Sequence, residues 1–371
     1  MILILMVGRA YSDAETAMLI PAWGYALFFL LLVFMLFGLL YVLPRYIGIK
    51  RITYKRYFSQ AGVFEGQSVT LIEEIHNNYF LPLFFIDVES YLRRELRIAK
   101  AVQPEKDQEM QRFISRFFLM PHNHVKRSIN IECTKRGFYE LDTAEIFFYR
   151  YPVMLRSKAN LHVYPRPLPS KESQPIENEI QSMISVSRSL LRDPFNFIGV
   201  REYLPGDPFS SINYKATAKT GELKVNNRDF ISSRNFMLYV DFHTTFMEKP
   251  PEDNEYKEIM ERALSYAADM VWKAIQAGYN AGFSANCRMV NEQTYVRHPI
   301  GSGQGHYIQM LEEMAKIRIQ AGCSIKMLIN MDLDTLRNAD IYIMTLAMNQ
   351  RLDETIEALK IKGNQVIVNK L

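Results

Sequence analysis

An unbroken apolar run at residues 21–43 sets the first limit on how this chain can fold. It reads PAWGYALFFLLLVFMLFGLLYVL and contains no charged side chain. As a helix it would cover the roughly 30 Å of a bilayer's hydrocarbon core. A helix in a protein core normally keeps a polar stripe, and this run has none. Trp23 and Tyr41 lie near its ends, as interfacial aromatics do. The run therefore predicts a transmembrane helix within a membrane anchor at residues 1–48.

The charges around the run predict its orientation. Basic residues follow it closely: Arg45, Lys50, Arg51, Lys55 and Arg56. The positive-inside rule then places the soluble domains in the cytoplasm, with the chain in the cell membrane. Residues 1–8, MILILMVG, are too short to span a bilayer and could be the remnant of a first span. Single-pass and two-pass arrangements both stay open.

Length and composition exclude several classes of protein. A chain of 371 residues is expected to form more than one domain. Its 44 basic and 40 acidic residues are nearly balanced, which does not favour binding to nucleic acid. The three cysteines are too few and too scattered for a disulfide framework or a structural zinc site.

Residues 49–167 have the pattern of a β-rich domain. β-Branched and aromatic residues are frequent, and Ile129, Ile131 and Cys133 alternate with the period of a strand. We predict strands at 69–77, 81–92, 125–133 and 137–149. Because no long helical period separates them, an antiparallel β-sandwich-like domain is expected.

Residues 233–371 alternate between buried strands and amphipathic helices. Apolar strand runs occur at 235–242, 339–346 and 365–369, and residues 281–298 indicate a hairpin. Helices that cross between buried strands predict a mostly parallel sheet with both faces covered. The whole chain is thus predicted to be an α+β multidomain protein with a transmembrane helix, a β-sandwich domain and an α/β domain of the Rossmann type.

Between the two domains, residues 168–232 are predicted to hold a linker followed by a distinctive strap. The strap, residues 192–230, is called the hallmark segment here because it resembles a segment of the domain of unknown function family 58. The matching residues are Arg201, Tyr203, Gly206, Asp207, Ile212, Lys215, Ala218, Gly221 and Leu223. The resemblance implies a bacterial or archaeal membrane-associated protein whose residues 233–371 form a von Willebrand factor A-like domain. Such proteins are often encoded beside a MoxR-type AAA+ ATPase and are thought to work with it.

The chain departs from the family pattern at two places. The family usually has Asp-Trp where this chain has Asn213-Tyr214. The family's Asp-x-Ser-x-Ser adhesion motif, which binds a metal ion, is replaced by residues 241–245, with Asp241, His243 and Thr245 at the three ligand positions. Magnesium prefers hard oxygen ligands, and an imidazole at His243 is a poor substitute. A magnesium site is possible, but we favour Asp241 as a remnant that hydrogen-bonds a loop, and we expect no cofactor.

The hallmark segment is the better candidate for a functional site. Its charged residues Arg201, Glu202, Asp207 and Lys215 lie among aromatic residues that include Tyr203 and Tyr214. Buried charges must be paired, so these residues form either an internal clamp or a surface that binds a partner. The Pro205-Gly206-Asp207 sequence predicts a turn, with a backbone angle at Gly206 that other residues resist.

Nothing in the sequence assembles an enzyme's active site. The histidines near Cys133 (His122 and His124) lack further ligands or an orienting group, and the glycine-rich residues 301–305 lack the Lys-Ser/Thr of a P-loop. We therefore expect a non-enzymatic membrane scaffold whose partners are a MoxR-type ATPase, other membrane-complex proteins and the bilayer. The alternative is an adhesion module that binds ligands through a divalent cation at Asp241 and Thr245. The oligomeric state stays open.

Overall fold

The computed structural model of the protein describes residues 22–43, 51–98, 110–148, 151–190, 192–204, 207, 209–230, 234–244, 252–348 and 350–371. The chain divides into two compact units. The first consists of Met1–Ser59, Val69–Glu132 and Glu140–Asn160, and the second of Gln60–Ser68, Cys133–Tyr139 and Leu161–Leu371. The second unit thus includes two short segments that the sequence analysis assigned to the β-sandwich domain.

The apolar run forms helix α1 (Ala22–Leu43). In the parts of the chain that the structure describes, no helix combines the length and the apolarity needed to cross a membrane. The prediction of an N-terminal transmembrane helix at 21–43 is therefore corrected, and with it the membrane anchor. Residues 1–8 lie outside the described residues.

Nine strands precede the next helix. They are β1 (Ile52–Phe58), β2 (Gly62–Phe64), β3 (Ser68–Asn77), β4 (Leu83–Arg93), β5 (Leu96–Ile98), β6 (Met110–Leu119), β7 (His124–Cys133), β8 (Gly137–Phe148) and β9 (Tyr151–Tyr164). One sheet has the order β1-β3-β7-β5. In the other, β4 lies between β8 and β6 and is antiparallel to both, while β9 borders β8. The four predicted strands are confirmed as β3, β4, β7 and β8.

The two sheets of the first unit share one core. Buried positions alternate along the strands, as in β1, whose even-numbered residues from Ile52 to Phe58 are buried. Side chains such as Tyr54 and Ile75 from one sheet join Ile86 and Phe117 from the other in a single apolar cluster. This alternation places one face of each sheet inward, which is what a sandwich requires.

The second unit contains the remaining elements. Its later strands are β10 (Arg192–Glu202), β11 (Lys224–Phe230), β12 (Arg234–Val240), β13 (Tyr279–Ala285), β14 (Cys287–Met289), β15 (Val296–Gly301), β16 (Ile317–Ala321), β17 (Asp340–Thr345) and β18 (Gln365–Lys370). Its helices are α2 (Ser170–Leu190), α3 (Tyr214–Thr220), α4 (Asp253–Gln276), α5 (Gln304–Ala315), α6 (Ile325–Asp332) and α7 (Gln350–Ile361).

The central sheet of this unit has the strand order β15-β13-β12-β17-β18. Strands β13, β12, β17 and β18 are parallel, and β15 is antiparallel to β13. This confirms the expected mostly parallel sheet with one antiparallel strand. Both faces of β12 are buried: Phe236 and Leu238 belong to one apolar cluster, while Met237 and Tyr239 belong to another. Because both faces of a central strand are buried, its sequence is a continuous apolar run.

The order of these strands creates a switch point beside β12. From β12 the chain crosses through α4 to β13 on one side, and later it places β17 on the other side of β12. Ligands of open α/β sheets usually bind where the strand order reverses, at the carboxyl ends of the strands. Here those ends bring together Asp241, after β12, and Thr345, at the end of β17.

Residues 170–190, expected as a linker, form helix α2 instead. Its side chains Ile176, Ile180 and Met183 are buried in the same apolar cluster as Phe236. The Glu179 carboxylate accepts hydrogen bonds from the hydroxyl groups of Tyr266 and Tyr342 at 3.1 and 2.9 Å. Glu179 is partly buried, so a polar residue lies beside the apolar residues on the inward face of this helix.

Candidate functional site

The hallmark segment folds as a hairpin of β10 and β11. The two strands are antiparallel, with Arg201 opposite Val225 and Glu202 opposite Lys224. The connection between them contains a short 3₁₀ turn (Phe209–Ser211) and helix α3. The segment is therefore an ordered element whose strands position the turn and the helix.

An ion pair closes the turn of this hairpin. The guanidinium group of Arg201 donates to both carboxylate oxygens of Asp207, at 2.6 and 2.7 Å. Asp207 also accepts from the backbone N–H of Leu204 at 2.9 Å. The Asp207 carboxylate raises the pKa of Arg201, and two parallel charged hydrogen bonds fix the geometry as well as the charge. The predicted alternatives were an internal clamp that fixes the strap to the α/β domain and a partner surface. This ion pair lies within the hairpin itself, and we call it the clamp. Gly206 lies outside the described residues.

A second ionic cluster lies at the same end of the hairpin, where the two strands meet the connection. The Lys224 ammonium group lies 3.2 Å from a carboxylate oxygen of Glu222 and 3.2 Å from one of Glu202. These two carboxylates raise the pKa of Lys224. Glu202 therefore has a partner within the hairpin.

The Asn213-Tyr214 departure has a structural role at the start of α3. The Asn213 side-chain oxygen accepts from the backbone N–H of Ala216 at 2.9 Å, which is a helix N-cap. Its amide nitrogen donates to Asn226 on β11 at 2.7 Å. Gly221 ends the helix with a φ of 75°, a left-handed conformation that glycine adopts without strain. Asn213 thus ties α3 to the hairpin.

Large apolar side chains in the connection between β10 and β11 are exposed. The exposed fractions are 60% for Leu204, 73% for Phe209, 74% for Tyr214 and 50% for Leu223. Backbone hydrogen bonds from Tyr203 to Leu223 and from Asn213 to Lys224 bring the backbone segments that carry Leu204, Tyr214 and Leu223 close together. The Tyr203 ring stacks on that of Phe209, with centroids 6.3 Å apart. We call Leu204, Phe209, Tyr214 and Leu223 the hairpin surface.

At the switch point, the carboxylate of Asp241 is buried and hydrogen-bonded. Asn286 donates to Oδ1 at 2.7 Å, and the Thr345 hydroxyl donates to Oδ2 at 3.1 Å. The backbone N–H of His243 also donates to Oδ1, at 3.1 Å. Protein donors therefore engage both oxygens that a metal ion would need. Thr245 lies outside the described residues.

Asn286 also contacts His243 in this network. Its side-chain oxygen accepts from the backbone N–H of Phe242 at 2.7 Å, so its amide nitrogen must face Asp241 and His243. That nitrogen lies 2.7 Å from Nδ1 of His243, to which it donates when the ring is neutral. The hydrogen bond and charge of Asp241 raise the pKa of His243, and this effect exceeds the lowering by burial.

Adding magnesium or manganese should leave the melting temperature of the protein unchanged. An ion that binds only the folded state would raise it, but an ion here would have to compete with Asn286 and Thr345, which already donate to the buried Asp241 carboxylate. No cluster of three or more His, Cys, Asp or Glu side chains suited to a metal occurs among the described residues. Thermal unfolding with and without each ion is the measurement, with calcium as a control. A rise specific to magnesium or manganese would contradict the expectation.

The other residues weighed from the sequence do not converge on a site. His124 lies on the sandwich, with Nε2 3.9 Å from a carboxylate oxygen of Glu74, and Cys133 is buried. Asn286 was missed by the sequence analysis, although it follows β13 directly. The rule that ligand sites gather at the carboxyl ends of parallel strands could have found it.

Solved structures give only weak similarities. The CARDB domain of a Pyrococcus furiosus protein, solved in complex with di-metal ions, is 12% identical; the match covers 30% of this chain and 93% of that domain, with a TM-score of 0.23. A non-cellulosomal cohesin from Archaeoglobus fulgidus is 10% identical, with 33% and 96% covered and a TM-score of 0.22. TM-scores this low support no inference about fold or function.

Sequence comparison identifies a relative and a family. Uncharacterized protein YeaD of Bacillus subtilis is 23% identical over 171 residues, which are 46% of this chain and 38% of that protein. The match thus spans well under half of the relative's length. A family model also matches residues 199–368, from within β10 to within β18. The hallmark segment and the α/β unit that follows it therefore match the family described as "Protein of unknown function DUF58".

Proposed function

We propose that this chain is a non-enzymatic scaffold that binds a protein partner through the hairpin surface. The observation that carries the proposal is the contrast between paired charges and exposed apolar side chains in one segment. Arg201 and Asp207 are joined internally, while Phe209 and Tyr214 are each more than 70% exposed. Contiguous exposed apolar groups on a soluble protein usually mark an interaction site.

The clamp supports binding by making the hairpin rigid. A surface that is already ordered loses less conformational entropy when a partner binds. The bonds from Arg201 to Asp207 and from Asn213 to Asn226 hold the turn and α3 in place before any partner arrives. Aromatic residues such as Phe209 and Tyr214 are the type that dominates binding energy at protein interfaces.

The partner we propose is a MoxR-type AAA+ ATPase, and the work is assembly or remodelling of a protein complex. Support comes from the resemblance of the hallmark segment and from the family match over residues 199–368. We also propose that residues 233–371 form a von Willebrand factor A-like domain, in keeping with the mostly parallel sheet centred on β12. The adhesion alternative is less well supported because both oxygens of Asp241 already accept hydrogen bonds.

Replacing both Phe209 and Tyr214 by serine should weaken binding of the MoxR-type ATPase from the same source by about 100-fold or more. Stability should change little because both side chains are exposed. Binding of the purified ATPase to the whole protein is measured by calorimetry, alongside the melting temperature. The matched control replaces Met327 and Ile361, two exposed apolar residues elsewhere on the same unit, by serine. Equal affinity for the hairpin variant and this control would refute the proposal.

A further inference from the structure

Helix α3 presents two different stripes to solvent. Residues four apart lie on the same face of a helix, which pairs Tyr214 with Ala218 and Lys215 with Lys219. All four are exposed, whereas Thr217 is partly buried, and its hydroxyl accepts from the backbone N–H of Lys224 at 3.0 Å. The lysine stripe therefore borders the hairpin surface, which includes Tyr214.

The two lysines differ from the other charges of the hairpin. Arg201 is paired with Asp207, and Lys224 with Glu202 and Glu222. Within the described part of the chain, neither Lys215 nor Lys219 has a carboxylate within ion-pair distance. Among the described side chains of the hairpin, these ionic contacts are completed internally, and the charge on α3 is left facing solvent.

Lys215 is locally unfavourable for folding. It is the second residue of α3, which begins after the cap Asn213, and the positive end of the helix dipole disfavours a cation there. Lys219, one turn later, adds like-charge repulsion at the i, i+4 spacing. A glutamate at position 215 would reverse both effects. The folded chain by itself therefore gains nothing from a lysine at this position.

We propose that Lys215 and Lys219 contact an acidic patch on the protein partner, placed beside an apolar area that covers the hairpin surface. This inference rests on the proposed function and specifies the chemistry of the partner's site. Complementary charge around an apolar centre speeds association and selects the partner. A polyanion is disfavoured because residues 199–226 contain four basic and three acidic residues, which is not a concentrated basic face.

The substitution Lys215→Glu separates binding from stability. It should lower the affinity for the MoxR-type ATPase about tenfold while leaving the melting temperature unchanged or slightly higher. The affinity of the wild-type protein should fall as salt rises, and that of the variant should fall less, because one attraction has been removed. The matched control is Lys171→Glu, since Lys171 is also an exposed second residue of a helix, α2, and undergoes the same charge change.

The outcomes separate this inference from the proposed function. If the wild-type protein does not bind the ATPase, both fail. A second outcome is that the wild-type protein binds and K215E has the same affinity and salt dependence as the wild-type protein or as K171E. That result would refute the acidic patch but not binding through the hairpin surface. If K215E abolishes binding to vesicles with anionic lipids or to single-stranded DNA without changing ATPase affinity, a polyanion is the ligand and the inference is overturned.

Discussion

Replacing Arg136 by methionine is expected to lower the free energy of unfolding of the second unit by about 3–5 kcal/mol. The Arg136 side chain is buried and binds Glu261 on α4 through two hydrogen bonds, at 2.7 and 3.1 Å. It also donates to the backbone carbonyl groups of Met314 and of Ile317, the latter at 3.0 Å. Methionine keeps the apolar volume but leaves a carboxylate and two carbonyl groups without their donor.

Urea denaturation followed by tryptophan fluorescence measures this effect. Trp272 lies in α4, in the same unit as Arg136, and the substitution Trp23→Phe removes the second tryptophan of the chain. Replacing Glu261 by methionine in the same protein should restore part of the loss because no unpaired carboxylate remains. The exposed Arg166 serves as a control, and its change to methionine should cost under about 0.5 kcal/mol. Wild-type stability in the Arg136 variant would show that the pair contributes nothing.

Replacing Glu73 by alanine is expected to destabilise the first unit by a similar amount, about 3–5 kcal/mol. Glu73 is fully buried and accepts hydrogen bonds from the hydroxyl groups of Tyr54 and Ser115, at 2.7 and 2.6 Å. Burial lowers the pKa of Arg56, and the negative charge of Glu73 is among the groups that raise it again. Without Glu73, the two hydroxyl groups lose their acceptor and a buried guanidinium loses a compensating charge.

The neighbouring Glu74 provides the matched control. It lies on the opposite face of β3 and accepts from the exposed Tyr57 hydroxyl at 2.8 Å, so its change to alanine should destabilise the unit much less than the change at Glu73. The measurement is thermal unfolding by circular dichroism, combined with amide hydrogen exchange of the strands in the first unit. Equal effects of the two substitutions would mean that the buried network does not stabilise the sandwich.

Patterns that repeat within a few residues were enough to predict many of the strands. Alternating apolar residues predicted β7, and continuous apolar runs predicted β12 and β17, because strand burial follows a local period. Asn213 illustrates the limit of such patterns. Its departure from the family pattern was visible in the sequence, but its role as a cap that also binds Asn226 needs the hairpin to be folded.

The apolar run at residues 21–43 shows a second limit of prediction from sequence. Its composition predicted a helix, and α1 is a helix. Composition was also taken to predict a membrane crossing, and the described helices do not support that. Strand β6 was not predicted. Its buried face includes the polar residues Gln111 and Ser115, while Ile114 and Phe118 are exposed, so apolar and polar residues do not alternate along the strand.

The sequence by itself determined the type and order of many strands and the mostly parallel sheet of the second unit. These follow from short-range periodicity and from the right-handed crossover of parallel strands. Only the tertiary structure decided which polar groups meet. Arg136 reaches Glu261 across 125 residues, and Asn286 reaches Asp241 across 45. Such pairs depend on where the backbone brings distant segments together, and no local pattern carries that information.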